Sequence, residues 1–171
     1  KIYSVSASGR NTELSVHADA VISLEQLLEE KPAYAIIASP APYHVTTAKV
    51  LLQNGIAVLI EKPLADTVES CEELLFSIDD SQSCVVSVGY CLRFLPSAQV
   101  VKNYLSAGKL GAIYNVESNV GQFLPSWRTD KNYKDSVSAR KELGGGALLE
   151  LSHELDYLFW LFGDLELQHS W

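Results

Sequence analysis

Short apolar runs alternate with amphipathic stretches along the first half of the chain. The run Ala33–Ser39 is nearly continuous and is typical of a strand buried on both faces. Alternation of short apolar strands with helical stretches of roughly 10–12 residues is typical of βαβ units on a parallel sheet. The predicted strands are Lys1–Ala7, Ala20–Ile22, Ala33–Ser39, Ala57–Ile60 and Cys84–Val88.

Helix start and stop signals separate these strands. Ser23 followed by Gln26 is a capping box, which predicts a short helix to Glu30. A second helix is predicted from residues 40–42 to Gln53, because Pro42 suits a first turn and Gly55 suits a C-terminal cap. A third is predicted from residues 66–69 to residue 79.

The pattern changes after Gly89. A helix is predicted over Pro96–Ser106 and a strand over Ala112–Val120; a polar segment follows, and a long helix is predicted over Ala147–Phe162. This second part is predicted to be α+β. We therefore expect two domains, residues 1–92 and 93–171.

Composition narrows the class of protein. With 171 residues, 47% hydrophobic residues and a net charge of −8, the chain suits a globular protein whose main partner is neither nucleic acid nor an anionic membrane. No apolar run reaches the ~18 residues of a membrane-spanning helix. Three cysteines without C-x-x-C spacing predict neither a disulfide framework nor a metal site, and favour a reducing cytoplasm. The chain contains no Met and begins at Lys1, which suggests an internal piece of a longer chain.

The predicted strand Ala57–Ile60 runs directly into Glu61, Lys62 and Pro63. Ligands of parallel sheets bind outside the carboxyl ends of the strands, so these two charges sit where side chains reach a site. A strand end that simply meets solvent is an equal alternative.

The last predicted helix carries Glu150, His153 and Asp156 at i, i+3 spacing, which places them along one side. A carboxylate one turn from a histidine can orient the imidazole for acid/base work. The alternative is a structural histidine on a solvated face. Three glycines, Gly144–Gly146, precede the helix and favour close approach of the backbone to a ligand.

These motifs occur together and in order along most of the chain. The motifs are A-S-P-x-x-x-H (Ala38–His44), E-K-P, G-x-x-x-R-F (Gly89–Phe94) and G-G-G…H-x-x-D. In this order they resemble the Gfo/Idh/MocA family of NAD(P)-dependent oxidoreductases. The resemblance implies a Rossmann-type parallel α/β domain and an α+β domain with an open, mainly antiparallel sheet. It also implies a sugar-like substrate, hydride transfer at a secondary alcohol or ketone, and a homo-oligomer formed through the second sheet.

The resemblance assigns the catalytic lysine to Lys62 and the catalytic histidine to His153, with Asp156 orienting the imidazole. The family usually has an Asp four residues before the histidine, where this chain has Leu149. Glu150 is the expected substitute and substrate contact. The residues expected to bind the cofactor are Ser8, Gly9, Arg10, Ala38, Ser39, Pro40, His44, Glu61 and Lys62. A sensor with the same fold and no turnover is the alternative function.

The end of the predicted strand Lys1–Ala7, which corresponds to the second strand of a Rossmann domain, affects the expected choice of cofactor. Ser8 and Arg10 follow it with no acidic residue until Glu13, which favours NADP over NAD, because a guanidinium accommodates a 2′-phosphate. A solvated turn in which Arg10 stacks on adenine is the alternative.

A basic segment bears on substrate charge. Five of the 13 basic residues lie within the 14 positions from Arg128 to Lys141, directly after Trp127. Aromatic stacking beside cations suits an anionic sugar derivative. An equal alternative is a solvated loop whose positive charges are partly balanced by nearby acidic residues. The residues expected to bind substrate are Arg93, Trp127, Arg128, Arg140 and Glu150.

Overall fold

The computed structural model describes residues 1–6, 18–78, 85–127 and 132–170. Its strands form two parallel sheets, one of two strands and one of three. The first sheet pairs β1 (Tyr3–Val5) with β2 (Ala20–Ile22), and the second has the order β3 (Tyr34–Ile37), β4 (Ala57–Ile60), β5 (Val86–Val88). The predicted parallel α/β architecture is confirmed.

The register of the second sheet aligns the carboxyl ends of its strands. Ile37 pairs with Ile60, and Ile60 pairs with Val88. The residues that follow these three positions therefore emerge at one edge of the sheet, where Glu61 and Gly89 become neighbours.

Three helices accompany the strands of the first half. α1 (Leu24–Glu30) begins at the predicted capping box, in which the Ser23 hydroxyl accepts the Gln26 N–H at 3.2 Å. α2 (His44–Gln53) follows a 3-10 turn at Ala41–Tyr43, and α3 (Val68–Ser77) is capped by the Thr67 hydroxyl.

Most of the hydrophobic core lies between one face of the three-stranded sheet and helices α2 and α3, and α1 adds Leu27. On the other face Tyr34 is 66% exposed and Ile36 is 58% exposed, so the prediction that this strand is buried on both faces is wrong. Among the described residues, no helix covers these two side chains. The core residues are Leu27, Ile37, Val45, Ala48, Leu51, Leu52, Ile56, Val58, Ile60, Ala65 and Leu74.

The second half is helical in the residues described. It contains α4 (Pro96–Ser106), α5 (Leu124–Trp127), 3-10 turns at Tyr133–Asp135, Val137–Ala139 and Lys141–Leu143, then α6 (Ala147–Glu150) and α7 (Ser152–Phe162). The strand predicted over residues 112–120 is not formed. A strand requires a backbone hydrogen-bonding partner, and the described part of this half supplies none, so the expected antiparallel sheet is not seen there.

Within the described ranges, no helix combines the length and the apolar character that crossing a membrane requires.

Candidate active site

The site begins where β4 ends. Glu61, Lys62 and Pro63 follow the strand directly, and the peptide bond between Lys62 and Pro63 is cis. Directly after the neighbouring strand β5, the Gly89 N–H donates to the Ile60 carbonyl at 2.7 Å. A Cβ at Gly89 would lie 3.5 Å from Oε2 of Glu61, an ordinary van der Waals distance, so this carboxylate lies beside Gly89 at the sheet edge.

Lys62 reaches across from the sheet edge to the end of α6. Its Nζ donates to the main-chain carbonyl of Glu150 at 2.8 Å and lies 3.3 Å from Oε1 of the same residue. A lysine ammonium has three N–H donors, so these contacts leave one donor for another acceptor. Glu150, expected to contact substrate, is therefore a partner of Lys62 in the structure.

The carbonyl of Glu150 is available to accept the hydrogen bond from Lys62 because the helix is interrupted. One continuous helix was predicted over residues 147–162, but the structure has two, separated by Leu151. In a continuous helix the Glu154 N–H would bond to the Glu150 carbonyl; here it donates to the carbonyl of Leu151 at 2.9 Å. The sequence has no Pro or Gly at this position to signal the break.

His153 lies in the first turn of α7 and is partly exposed. Its Nε2 is 3.6 Å from Oε1 of Glu154, the adjacent residue. The predicted contact between the imidazole and Asp156 is replaced by one between Asp156 and Arg93. The i, i+3 spacing predicts the position of Asp156 along the helix but not its stronger partner, Arg93, which comes from outside the helix.

Arg93 and Asp156 form a two-pronged ion pair. Nε of Arg93 donates to Oδ2 at 2.7 Å and Nη2 donates to Oδ1 at 2.5 Å. The hydrogen bonds to this carboxylate raise the pKa of Arg93 above its usual value. Arg93, expected to bind substrate, is thus paired with a carboxylate of the protein.

His44 is buried, with 1% of its surface exposed, so the predicted contact with a cofactor is not supported. Its Nε2 lies 2.6 Å from the Ser39 carbonyl and its Nδ1 lies 3.0 Å from the Pro63 carbonyl. The ring therefore links the segment that follows β3 to the segment that follows β4. Sequence alone does not distinguish a histidine that binds a ligand from one that binds backbone.

Ser39 offers the clearest opening for a ligand among the predicted cofactor residues. Its Oγ is buried and has no hydrogen-bonding partner in the described part of the protein. Buried polar atoms in proteins are nearly always paired, so this hydroxyl fits a partner from outside the chain, either a buried water or a ligand. Ala38 is exposed beside it and Pro40 is partly exposed. Ser8, Gly9 and Arg10 lie outside the described residues.

The glycines before α6 serve packing as well as access. Gly144 has a φ of +78°, and a Cβ there would lie 2.8 Å from the Cβ of Ala41. A Cβ at Gly145 would lie 2.2 Å from the Val137 carbonyl oxygen. Gly144 and Gly145 therefore meet a packing requirement, whereas a Cβ at Gly146 would meet nothing within 4 Å; that these glycines let a ligand approach the backbone closely stays a prediction.

The basic segment is only partly described. Nε of Arg140 donates to Oε1 of Glu142 at 2.8 Å, and both side chains are largely exposed. Trp127 ends α5 with 40% of its surface exposed. Arg128 lies outside the described residues, so its predicted contact with substrate stays a prediction. In the residues that the structure covers, no cluster of His, Cys, Asp and Glu is arranged to hold a metal ion.

Comparisons with known proteins show which family the chain belongs to. Residues 2–90 match the family model for the oxidoreductase family with an NAD-binding Rossmann fold, and residues 98–167 match the Gfo/Idh/MocA C-terminal domain. An uncharacterized oxidoreductase of Synechocystis sp., sll0816, is 36% identical over 143 residues, which are 82% of this chain and 38% of that protein. The levoglucosan dehydrogenase of Pseudarthrobacter phenanthrenivorans is 29% identical over 130 residues, 75% of this chain and 32% of that enzyme.

A solved structure extends the comparison. The WlbA dehydrogenase of Bordetella pertussis, in complex with NADH and UDP-GlcNAcA, superposes with a TM-score of 0.69 at 27% identity, covering 85% of this chain and 42% of that one. The chain thus spans well under half the length of these relatives. On the match of its first 90 residues and of its second half, the chain belongs to the Gfo/Idh/MocA family of oxidoreductases.

Proposed function

We propose that this protein is an NAD(P)-dependent oxidoreductase that transfers a hydride between a nicotinamide and a secondary alcohol or ketone of a sugar-like substrate. The observation that carries the proposal is the placement of Lys62. Its ammonium is fixed by two oxygens of Glu150, which lies three residues before His153 along the chain, and it keeps one N–H donor. The levoglucosan dehydrogenase named above supports the reaction class.

Lys62 would stabilise the charge that develops on the reacting oxygen. As a secondary alcohol is oxidised, its oxygen acquires alkoxide character, and a fixed ammonium donor lowers the energy of that state. The contacts with Glu150 hold the ammonium in place before substrate binds, so little reorganisation is needed. Glu61, at the same sheet edge, would assist in positioning Lys62 and the nicotinamide ribose.

His153 would exchange the hydroxyl proton. In the oxidative direction the imidazole accepts the proton as the hydride leaves the carbinol carbon, and in the reductive direction it returns it. Glu154, 3.6 Å from Nε2, can stabilise the imidazolium that forms. A regulator without turnover does not need both a proton-transferring histidine and a lysine that can stabilise an alkoxide, which favours an enzyme over the alternative of a sensor.

The residues present fit a dinucleotide. The unpaired Ser39 hydroxyl, with Ala38 and Pro40, would hold it at the carboxyl end of β3, where ligands of parallel sheets bind. A bound nicotinamide supplies the acceptor for the hydride. The choice of NADP over NAD rests on Ser8, Gly9 and Arg10 and on the absence of a nearby acid in the sequence.

A narrower proposal concerns the charge of the substrate. WlbA holds UDP-GlcNAcA in its structure, and the basic segment of this chain supports an anionic sugar derivative. Arg93 and Arg140 contribute less than expected to the binding of an anionic substrate, because each is paired with a carboxylate of the protein. Unchanged KM in Arg128→Ala, or a best substrate without charge, would overturn this part of the proposal.

The reaction is tested by turnover in the complete protein. Neutral polyols, levoglucosan and UDP-GlcNAcA are supplied with each nicotinamide, and formation of the reduced cofactor is followed by absorbance. We expect Lys62→Ala to lower kcat by about 10²–10³-fold and His153→Ala by about 10²–10⁴-fold, with the Kd of the cofactor kept. Lys49→Ala, which removes an exposed pair with Glu73, is the control. Wild-type turnover in either site variant contradicts the assignment.

A further inference from the structure

Basic side chains from outside α6 and α7 contact these helices at three levels. Lys62 contacts Glu150 at the end of α6, Arg93 contacts Asp156 in the second turn of α7, and the Lys102 ammonium donates to the Trp160 carbonyl near its end. The third contact complements the negative end of the helix dipole. The middle contact is the one that lies nearest to His153 along α7.

The middle contact has the geometry that fixes orientation best. Two parallel hydrogen bonds of 2.7 and 2.5 Å join the guanidinium fork of Arg93 to both oxygens of Asp156. Such a fork sets the plane of the pair as well as its distance. The Asp156 side chain is only 10% exposed, whereas that of Arg93 is 39% exposed, so the carboxylate is held against the protein interior.

Arg93 is itself anchored to two other elements. It lies in a 3-10 turn at Cys91–Phe94, which begins three residues after β5 ends. Its carbonyl accepts a hydrogen bond from Nε2 of Gln99, in the first turn of α4. Any displacement of α7 at Asp156 is therefore resisted by the end of the sheet and by α4 together.

We propose that Arg93 is a positioning residue for the reaction, which places His153 by gripping Asp156, and that it does not bind substrate. The inference rests on the proposed function, in which His153 exchanges the proton. Asp156 lies three residues after His153, about 4.5 Å along the helix axis at 1.5 Å per residue. A rotation or shift of α7 at Asp156 therefore moves the imidazole, and misplacement by about 1 Å can cost about 10²-fold in rate.

Kinetics of the complete protein test the role. Arg93→Ala, Asp156→Ala and the double variant are each expected to lower kcat by about 10–100-fold with KM changed less than about threefold. The double variant should be no slower than the slower single one, since both remove the same contact. Arg93→Lys keeps the charge without the fork, so part of kcat should return. Lys49→Ala serves as the control for loss of an exposed ion pair.

A substrate anchor behaves differently. If Arg93 binds substrate, Arg93→Ala raises KM, Asp156→Ala does not reproduce the change, and the two effects add; any of these results overturns the proposal. If the pair only stabilises the fold, both variants unfold at lower denaturant concentration while kcat of the folded protein is kept, which also overturns it.

A second measurement does not depend on turnover. Histidine-labelled protein gives an imidazole NMR signal for His153, identified by its loss in His153→Gln. Arg93→Ala and the milder Asp156→Asn should shift or broaden this signal and leave that of buried His44 in place. An unchanged His153 signal refutes the positioning role. A shifted signal in a protein that oxidises no polyol refutes the proposed function and keeps the positioning role.

Discussion

Gly144→Ala tests how the glycine segment joins the two halves of the protein. Gly144 lies at the end of the 3-10 turn Lys141–Leu143 and packs against the turn at Ala41–Tyr43. Its φ is +78°, and the Cβ that alanine adds would lie 2.8 Å from the Cβ of Ala41 and 3.3 Å from Cδ of Pro42. The substitution therefore introduces both backbone strain and a clash.

The free-energy cost of the backbone strain and that of the clash can each be estimated. A residue with a Cβ in the left-handed region costs about 1–2 kcal/mol, and an added methyl group in a packed contact costs about 1–3 kcal/mol. Gly144→Ala should therefore lower the free energy of unfolding by about 2–5 kcal/mol. The approach of two carbon atoms to 2.8 Å is well inside their usual 3.5–4.0 Å separation, so Ala41 or the glycine segment must move.

Gly55→Ala provides the matched control. Gly55 has a φ of +73°, but a Cβ there meets nothing within 4 Å, so this variant carries the backbone cost without the clash. Urea unfolding of both variants should show Gly144→Ala less stable than Gly55→Ala by about 1–3 kcal/mol. Adding Ala41→Gly to Gly144→Ala removes the opposing methyl group and should recover most of that difference. Equal stability of the two single variants would refute the packing of Gly144 on Ala41.

The other predictions concern stability, cofactor choice and thiol reactivity. His44→Ala removes the ring that contacts the Ser39 and Pro63 carbonyls, and a neutral imidazole donates to one of the two, so the change should cost about 1–3 kcal/mol for the carbonyl left unpaired; urea unfolding no different from that of His169→Ala would contradict this. Fluorescence titration should give a lower Kd for NADPH than for NADH, and the reverse order would refute the preference for NADP. Burial raises the pKa of Cys71, so at neutral pH iodoacetamide should modify Cys71 more slowly than exposed Cys91, and its rate should climb as pH rises towards that pKa. Faster modification of Cys71 would contradict the buried position.

The first half of the fold follows from local signals. Apolar runs and caps such as Ser23 predict the strands and helices there, because their spacing is decided within a few residues. The strand predicted over residues 112–120 is not formed, because a strand depends on partners that its own pattern does not contain. The exposed face at Tyr34 and Ile36 was missed for the same reason.

The site residues could be named from the sequence, but their partners could not. The motifs brought Lys62, His153, Asp156 and Arg93 to attention. Lys62 meets Glu150 across 88 positions and Arg93 meets Asp156 across 63. Spacing along one helix favoured a contact between His153 and Asp156, but a bidentate arginine from another element is a stronger partner for a carboxylate than an imidazole on the same helix.

The break at Leu151 decides how Lys62 is held. Lys62 receives its shorter contact, 2.8 Å, from a main-chain carbonyl and its longer one, 3.3 Å, from the Glu150 carboxylate. A carbonyl is present whatever the side chain, provided that the helix is interrupted where Lys62 arrives. The ammonium is therefore held by two oxygens of a single residue, because the local backbone conformation frees the Glu150 carbonyl and the Glu150 side chain supplies the other oxygen.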